Sequence, residues 1–331
     1  MLSQKATAQT SVTISTKAPV PKYVMTLATL APADSPWSAI LDKYVEAVES
    51  KSNGRIDVRL KLGGVLGDEI ESMTKCRRGQ IQAVGATTGA LANQVPALSL
   101  VELPYLFRSY DEADSVIDGL LTQAYEPLLR KQGFVLGFWS ENGFRQFGTR
   151  KHAVHTPADL KGLKMRAQEN PVHEAMYKAW GASFTPLPAT EVTQALATGN
   201  IDGFDQALLY AYAASWVKQV GYITLSDHIY QPALIVFNQE WFDALPADLQ
   251  GLIVGEGRAL QSKGRKAVRQ IVADVIEVIK QDNKQVLVLS TAEKQVFERA
   301  AAPVYGMFRH KQGPSVSRLL DATQKKLKAM R

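Results

Sequence analysis

The sequence predicts an α/β protein built from two domains. Its 331 residues are long for one hydrophobic core and suit two α/β units of ordinary size. Strand and helix patterns alternate from residue 23 to residue 88, in the order typical of a parallel sheet with crossover helices. A helical pattern from residue 246 to about residue 283 is longer than one small domain is wide, so we expect it to bridge both domains.

Local patterns predict the first elements in turn. Residues 23–30 predict a strand, and Ser35 followed by Pro36 predicts the N-cap and first position of a helix. Strict alternation of apolar residues over 56–62 predicts a second strand. A glycine loop, a helix that ends at about Arg78 and the apolar strand "IQAVGATT" follow. The proline-broken run "VELPYLFRS" is expected to cover a core.

A second sheet is expected to begin near residue 144, where we place a change of domain. The predicted first domain comprises residues 23–143 and 232–271, and the second comprises residues 144–231 and 272–331. The later elements are a strand over 133–140, a short helix between Thr156 and Gly162, a strand over 163–167, a helix from Asn170 to Gly181, a helix capped by Thr190 or its neighbour and ended by Gly199, an apolar strand over 233–238, the long helix, a strand at "QVLVLS", a capping box of Ser290 with Glu293, and a helix after Pro314.

Composition and charge are typical of a soluble globular protein. Hydrophobic residues make up 46% and charged residues 21% of the chain, and no apolar run reaches the ~18 to 20 residues that a bilayer requires. Acidic residues are interspersed with basic ones, so the net charge of +6 favours attraction of small anions over nucleic-acid binding. We therefore expect no stable membrane insertion and no nucleic-acid partner.

The first residues and the single cysteine also limit the possibilities. Residues 1–22 are rich in Ser, Thr, Ala and Pro and contain no acid, so we expect a disordered or extended segment. They resemble the ragged start of a mature exported protein or an engineered start. Cys76 stands alone, which excludes an internal disulfide and a cysteine metal cluster.

Arg166 is the residue on which the functional prediction centres. Apolar and polar residues alternate over 163–168, as in a strand with one apolar face, so Arg166 points away from its own core. On a rigid strand its planar guanidinium would fit a carboxylate or phosphate in bidentate fashion. The spacing alone leaves open that Arg166 is a solvated surface residue.

The motifs of catalytic and cofactor sites are incomplete. The glycines of "GGVLGD" do not satisfy the dinucleotide-binding spacing, and no phosphate-binding lysine follows them. The zinc-protease pattern that begins at His173 fails, because Tyr177 stands where the second histidine is required. We therefore predict no cofactor, no metal site and no enzymatic activity.

The stretch from residue 156 to residue 206, "TPADLKGLKMRAQ" to "ALATGNIDGFDQ", resembles one family. Together with "GVLGDEIESMTKCRRGQIQAVGATT", "LPYLF" and "LPADLQGLI", it is similar to the extracytoplasmic solute-binding protein of a TRAP transporter, the DctP type. The resemblance implies a two-domain periplasmic binding protein fold of mixed sheets flanked by helices. An interdomain cleft would close with high affinity on an organic acid, which a periplasmic monomer delivers to the TRAP membrane permease subunits.

The resemblance also implies the ligand-binding residues. Arg166 would clamp the ligand carboxylate, with Arg145 as a second donor. Trp139 and Phe144 would flank the cleft and stack on an apolar or aromatic ligand, unless they are core aromatics. The other candidates follow the "DG" of the motif or come from the first domain: Phe204, Asp205, Gln206, Asp68 or Glu69, Thr87 and Thr88.

Two other functions remain open from the sequence. A two-domain α/β scaffold could carry a lyase or hydrolase of a small acid, or it could serve as a sensor module for a receptor kinase. An arginine clamp fits dicarboxylates, keto acids, sugar acids and aromatic acids alike, so the sequence does not identify the ligand.

Overall fold

The computed structural model describes residues 22–331, so the expected segment at residues 1–22 lies outside the described residues except for Lys22. This part of the chain contains ten strands: β1 (Tyr23–Thr29), β2 (Ile56–Lys61), β3 (Ala83–Thr87), β4 (Phe134–Thr149), β5 (Lys164–Ala167), β6 (Ser183–Pro186), β7 (Gly203–Ala207), β8 (Tyr222–Leu225), β9 (Tyr230–Asn238) and β10 (Gln285–Val288).

Eleven α-helices lie between and after these strands in the described residues. They are α1 (Pro36–Lys51), α2 (Glu69–Arg77), α3 (Thr88–Leu91), α4 (Tyr110–Val116), α5 (Thr122–Arg130), α6 (Pro171–Ala179), α7 (Val192–Thr198), α8 (Leu208–Ala213), α9 (Gln239–Asp243), α10 (Ala247–Gln281) and α11 (Thr291–Met330). Short 3₁₀ segments cover Pro96–Glu102, Pro157–Leu160, Ala189–Glu191 and Val217–Gln219, and a π-helical turn covers Ile117–Leu121.

The long strand β4 belongs to two sheets. Its residues 134–144 pair antiparallel with β9, which joins the parallel strands β3, β1 and β2 in what we call the first sheet. Its residues 145–149 pair antiparallel with β7, which continues into the parallel strands β5 and β6 of the second sheet. Strand β8 also pairs antiparallel with β4, and β10 pairs in parallel with β8. Mixed sheets flanked by helices confirm the predicted α/β class.

Strand β4 is longer than the sequence predicts. The expected strand ended at residue 140, because Glu141, Asn142 and Gly143 interrupt the apolar pattern. In the structure the pairing register shifts between Glu141 and Gly143, and Gly143 has a φ of 110°. Such a β-bulge bends a strand without ending it. Strand β4 therefore continues past residue 144 and connects the two sheets.

Most of the predicted helix caps are present. The Ser35 hydroxyl accepts a hydrogen bond within the first turn of α1, and Pro36 is the first residue of that helix. Ser290 and Glu293 form the predicted capping box of α11. Glu191, the neighbour of Thr190, is the N-cap residue of α7, but its side chain forms no capping hydrogen bond because a 3₁₀ turn leads into the helix.

Helix α10 packs against both sheets, as predicted. It runs for 35 residues without a break at its four glycines. Leu249 and Ile253 pack in the core of the first sheet, whereas Val268 and Val275 pack in a core of the second sheet. Gly257 allows α10 to approach β4 closely, since a Cβ at this position would lie 1.9 Å from Phe138 Cδ1.

The other long helix, α11, is interrupted. It covers 40 residues, but Gly313 has a φ of 75° and bends the chain before Pro314. The residues after Pro314 are helical, as predicted. Within residues 22–331, no helix combines the length and the apolar composition that crossing a bilayer would require.

We predict that Gly257→Ala destabilises the fold, because the added methyl group would overlap the buried Phe138 ring. Overpacking of this kind costs ~1 to 3 kcal/mol. The matched control is Gly255→Ala on the same helix, where no other group lies within 4 Å. There the higher helix propensity of alanine stabilises by about 0.5 to 1 kcal/mol. Urea unfolding measures both variants, and equal stabilities would contradict the close approach.

Candidate functional site

A cavity lies between the two sheets, beside the middle of β4. The first sheet contributes residues of β1, β3 and β9, and the second contributes Arg166 on β5 and Gln206 on β7. The beginning of α1 and the middle of α10 complete the walls. The cavity has a volume of about 90 Å³, compared with roughly 150 Å³ for a protein cavity that holds benzene. A small molecule could therefore contact both sheets at once.

Arg166 is the cationic group of this cavity. Its Nε and Nη2 donate to the Leu187 carbonyl oxygen at 3.0 and 2.8 Å, and its Cζ lies 5.2 Å from the centre of the Trp216 ring. These contacts hold the guanidinium plane in place. Its Nη1 is buried without a hydrogen-bond partner among residues 22–331. The site therefore contains a fixed, charged donor that no protein group of the described chain satisfies.

The surroundings of Arg166 favour an incoming anion. The side chain lines the cavity and the residue is only 2% exposed, so the alternative of a solvated surface arginine is wrong. Burial, reinforced by the positive charge of Arg145, lowers the pKa of Arg166 to about 10. Arg166 still carries its charge at neutral pH, but that charge is poorly compensated. A carboxylate at Nη1 would supply both the missing acceptor and the missing negative charge.

Arg145 is buried beside the cavity, but protein groups occupy it. Its Nε donates to Asp205 Oδ2 at 2.7 Å, and its Nη2 donates to the Asp205 carbonyl oxygen. Its Nη1 donates to Gln231 Oε1 at 2.7 Å and to Gln206 Oε1 at 3.2 Å. That Arg145 is a second donor to the ligand stays a prediction, and its contacts with protein groups also fit a residue that positions its neighbours.

Asp205 stays ionised within this cluster. Burial alone would raise its pKa, but Arg145 and a hydrogen bond from His228 hold it well below its usual value. Tyr177 also donates to Asp205 Oδ1 at 3.1 Å. Asp205 is not part of the cavity wall, whereas its neighbour Gln206 is. Asp205 is therefore the counterion of Arg145, whereas Gln206 lines the cavity.

Glu69 and Thr87 line the cavity from the side of the first sheet. Glu69 accepts from the Thr87 amide at 2.6 Å and from the Thr87 hydroxyl at 3.0 Å. Gln168, which follows β5, donates to Thr87 Oγ1 at 2.8 Å and to Glu69 Oε2 at 3.1 Å. Burial raises the pKa of Glu69 to about 7, against hydrogen bonds from Thr87 that lower it. These contacts join the two sheets across the cavity.

The alternative candidate Asp68 and the candidate Thr88 have structural roles. Asp68 is the N-cap of α2, and its Oδ1 accepts from the Glu71 amide at 2.9 Å. The Thr88 hydroxyl lies 2.5 Å from Glu102 Oε1 and is fully buried away from the cavity. Thr88 does not reach the cavity, and Asp68 lines a smaller adjoining pocket that Arg166 and Gln168 also border.

The three candidate aromatic residues do not line the cavity. Trp139 Nε1 donates to Thr122 Oγ1 at 2.7 Å. The Phe144 ring lies 5.1 Å from that of Tyr110 in a core cluster, and the Phe204 ring packs 5.3 Å from that of Trp216. The expectation that Trp139 and Phe144 stack on the ligand therefore needs correction, because both are core aromatics. Phe204 likewise supports the protein interior.

Sequence reasoning missed several residues of the cavity wall. Gln168 lies two positions after Arg166, and the alternation that exposes Arg166 could have identified it. Trp37 lies on the buried face of α1, and this face also forms a wall of the cavity. Tyr210 and Asn142 had no signal in the sequence, since tertiary packing alone brings them to the site.

The arrangement defines a class of protein. A small cavity lies between two sheets, hydrogen bonds join its two sides, and one guanidinium nitrogen of a buried arginine has no acceptor among residues 22–331. These are features of a solute-binding protein that closes on its ligand. The described residues contain no group of three or more His, Cys, Asp or Glu side chains placed to hold a metal ion.

Residues 27–312 match the family model described as "Bacterial extracellular solute-binding protein, family 7", DctP, and the chain belongs to this family. A solute-binding protein of Verminephrobacter eiseniae is 33% identical over 284 residues, which are 86% of this chain and 84% of that protein. Membership of a solute-binding family confirms the resemblance found in the sequence and the prediction of binding rather than catalysis.

Two further relatives carry more specific names. The 2,3-diketo-L-gulonate-binding periplasmic protein YiaO of Escherichia coli is 28% identical over 246 residues, which are 74% of this chain and 75% of that protein. The structure of the sugar acid binding protein DctPAm of Advenella mimigardefordensis, in complex with galactonate, has a TM-score of 0.88 and is 28% identical. The comparison covers 93% of this chain and all of that one, 100%. The chain therefore has the fold of this family throughout most of its length.

We predict that Asp205→Asn makes the free energy of unfolding less dependent on pH in the acidic range. The pKa of Asp205 is lowered by folding, so its contribution is present above the unfolded value of about 4 and is lost as the pH falls through the folded value. Breaking a buried ion pair costs ~3 to 5 kcal/mol at neutral pH.

Urea unfolding at several pH values tests this prediction, with Asp57→Asn as the control. Asp57 pairs with Arg59 at the surface, where such pairs contribute ~0 to 1 kcal/mol. An Asp205→Asn variant whose stability matches that of the wild type at neutral pH would contradict the role of Asp205 as the counterion.

Proposed function

We propose that the protein binds a small organic acid in this cavity, with the ligand carboxylate on Nη1 of Arg166. The protein would act in the periplasm as a monomer and deliver the acid to the membrane permease of a TRAP transporter. The observation that carries the proposal is the buried Nη1 of Arg166, which has no partner within residues 22–331. A buried charged donor without an acceptor is costly, and a carboxylate offsets that cost with a charge-assisted hydrogen bond.

Neutral groups around Arg166 would complete recognition of the acid. The Oε1 of Gln206 already accepts from Arg145, so its amide group is fixed with the nitrogen left to donate. Tyr210 lines the same cavity and carries a hydroxyl group, whereas both amide hydrogens of Gln168 are already donated to Thr87 and Glu69. The Gln206 amide and the Tyr210 hydroxyl would receive the carboxylate oxygens or a polar atom beside the carboxylate.

Closure of the cavity would depend on a ligand that touches both sheets. We propose that the two domains comprise residues 23–143 with 232–271 and residues 144–231 with 272–331. The bulge at Gly143 and the glycines of α10 would absorb the motion at the crossings. A ligand drives such a closure only through its higher affinity for the closed form.

Hydrogen bonds across the cavity support this interpretation. Asn170 Nδ2 donates to the Gly89 carbonyl oxygen at 3.1 Å, and Asn93 Nδ2 donates to the Glu169 carbonyl oxygen at 2.9 Å. Gln168 adds the contacts to Thr87 and Glu69 described above. These contacts fit a closed arrangement, because they join loops that follow β3 and β5.

The names of the relatives agree with an acid as ligand. YiaO is named for binding 2,3-diketo-L-gulonate, and DctPAm is described in complex with galactonate. A third relative, from Bacillus subtilis, is named a C4-dicarboxylate-binding protein. These ligands differ in size and polarity but share the carboxylate that a fixed arginine recognises.

We predict that Arg166→Ala abolishes measurable acid binding and that Arg166→Lys weakens it at least tenfold. An ammonium group cannot reproduce the planar fork that both contacts Leu187 and reaches the ligand. Isothermal titration of the ligand-free protein measures the affinities. Lys164→Ala, on the same strand but exposed, is the matched control and should bind as the wild type does. Unchanged affinity in both Arg166 variants would refute the clamp.

We predict that acid binding weakens as the pH rises through about 7. Burial raises the pKa of Glu69 to about 7, so above that pH a second negative charge faces the ligand carboxylate. Glu69→Gln should flatten the dependence measured by titration between about pH 6 and about pH 8.

The second acid of the cavity supplies the matched variant. Burial also raises the pKa of Glu141 to about 7, and this carboxylate contacts Arg269 at 2.6 Å. Glu141→Gln should therefore retain the part of the pH dependence that belongs to Glu69. An undiminished dependence in Glu69→Gln would show that Glu69 is not the titrating group.

A further inference from the structure

We infer that the ligand is a monocarboxylic acid with a short apolar tail, rather than a dicarboxylic acid or a polyhydroxylated sugar acid. The inference rests on the proposed function, because it assumes that Arg166 receives the carboxylate. It adds the chemistry of the rest of the ligand, which the remaining walls of the cavity determine.

The cavity has a place for one carboxylate. Arg166 is the single cation among the described residues of its lining, and the other charged side chains there are Glu69 and Glu141. Arg145 is close by but is already neutralised by Asp205. A second carboxylate would therefore enter a water-poor space that offers two acids and no free cation, and it would remain uncompensated.

Part of the wall that faces the second sheet is an apolar patch. Helix α1 contributes Trp37, Ile40 and Leu41, and β4 contributes Phe138. From β9 and α10 come Leu234, Ile235 and Val268. By contrast, the second sheet and its adjoining loops contribute Arg166, Gln168 and Gln206. Polar groups also reach the cavity from the first sheet, among them Glu69 and Thr87, so the apolar side chains form a patch on α1, β9 and α10 and not a whole side of the cavity.

The one polar atom of the Trp37 side chain is already used. Its Nε1 donates to the Glu141 carbonyl oxygen at 2.6 Å, so the indole presents a ring surface to the cavity. The hydroxyl groups of a sugar acid would find no partner on the aliphatic and aromatic side chains of this wall. An unpaired polar group in such a place weakens binding, whereas a methylene group strengthens it about fourfold.

The volume sets the length of the tail. The volume of about 90 Å³ is smaller than the roughly 150 Å³ of a cavity that holds benzene, so the tail is limited to a few carbons. Gly264 on α10 lies in the wall, and a Cβ there would stand 3.5 Å from Ile40 Cγ2. The absence of a side chain at this position leaves part of the space for the tail.

The test is titration of ligand-stripped protein with propionate, butyrate, isovalerate and hexanoate, and with succinate and glucuronate. We expect the affinity to rise about fourfold per added methylene until the cavity is full and then to fall. Succinate and glucuronate should bind at least tenfold more weakly than the best monocarboxylate. Tighter binding of either one would overturn the inference.

The variant Arg166→Ala shows whether only the inference about the tail fails or whether the proposed function fails as well. If succinate or glucuronate binds best and its binding is lost in Arg166→Ala, the acid clamp stands and only the tail assignment is wrong. If no acid binds, or if Arg166→Ala binds as the wild type does, the proposed function itself fails.

A second variant tests the position of the tail. Gly264→Val would fill the space beside Ile40 and should move the optimum to a shorter acid, with at least a tenfold loss for the longest one that the wild type accepts. Gly255→Val lies on an exposed turn of the same helix and is the matched control. The same chain-length profile in both variants would place the tail elsewhere and overturn the inference.

Discussion

One charge balance governs the interior of this protein: two buried arginines share a single close counterion. Arg145 and Asp205 form a fully buried ion pair at 2.7 Å between β4 and β7. Asp205 is thereby committed to Arg145, and within residues 22–331 the hydrogen-bond acceptor of Arg166 is the carbonyl oxygen of Leu187. The resulting excess of positive charge cannot be screened by bulk water inside the cavity. An anionic ligand is the group that completes the balance.

The same cluster connects the charge balance to closure. Gln231 on β9 accepts from Arg145 at 2.7 Å and donates to Gln168 at 2.7 Å. Gln168 in turn donates to Thr87 on the opposite side of the cavity. Opening would break this chain of hydrogen bonds and admit water to Arg166. The hydrogen bonds that would hold the cavity closed would therefore also keep water away from Arg166, which strengthens its attraction for an anion.

The sequence predicted the elements better than the site because caps and periodicity are local. Ser35, Pro36 and the capping box at Ser290 each depend on a few neighbouring residues. The partners of Arg145 lie on other strands, about 60 and 86 positions away, and no local pattern reports them. Alternation along β4 explains the error over Trp139. Phe138 and Ser140 face the cavity, so the residue between them faces the opposite core.

Affinity and selectivity have different origins in this cavity. The guanidinium of Arg166 is directional and held by Leu187, so it fixes where the carboxylate lies and how the ligand is oriented. The apolar wall has no such direction, and it discriminates by the area it covers and by the polar groups it leaves unpaired. A fixed arginine is therefore compatible with ligands as different as the dicarboxylates and sugar acids for which the relatives are named. Changes in α1, β9 and α10 would suffice to alter the ligand, because those elements supply the wall that the tail must fit.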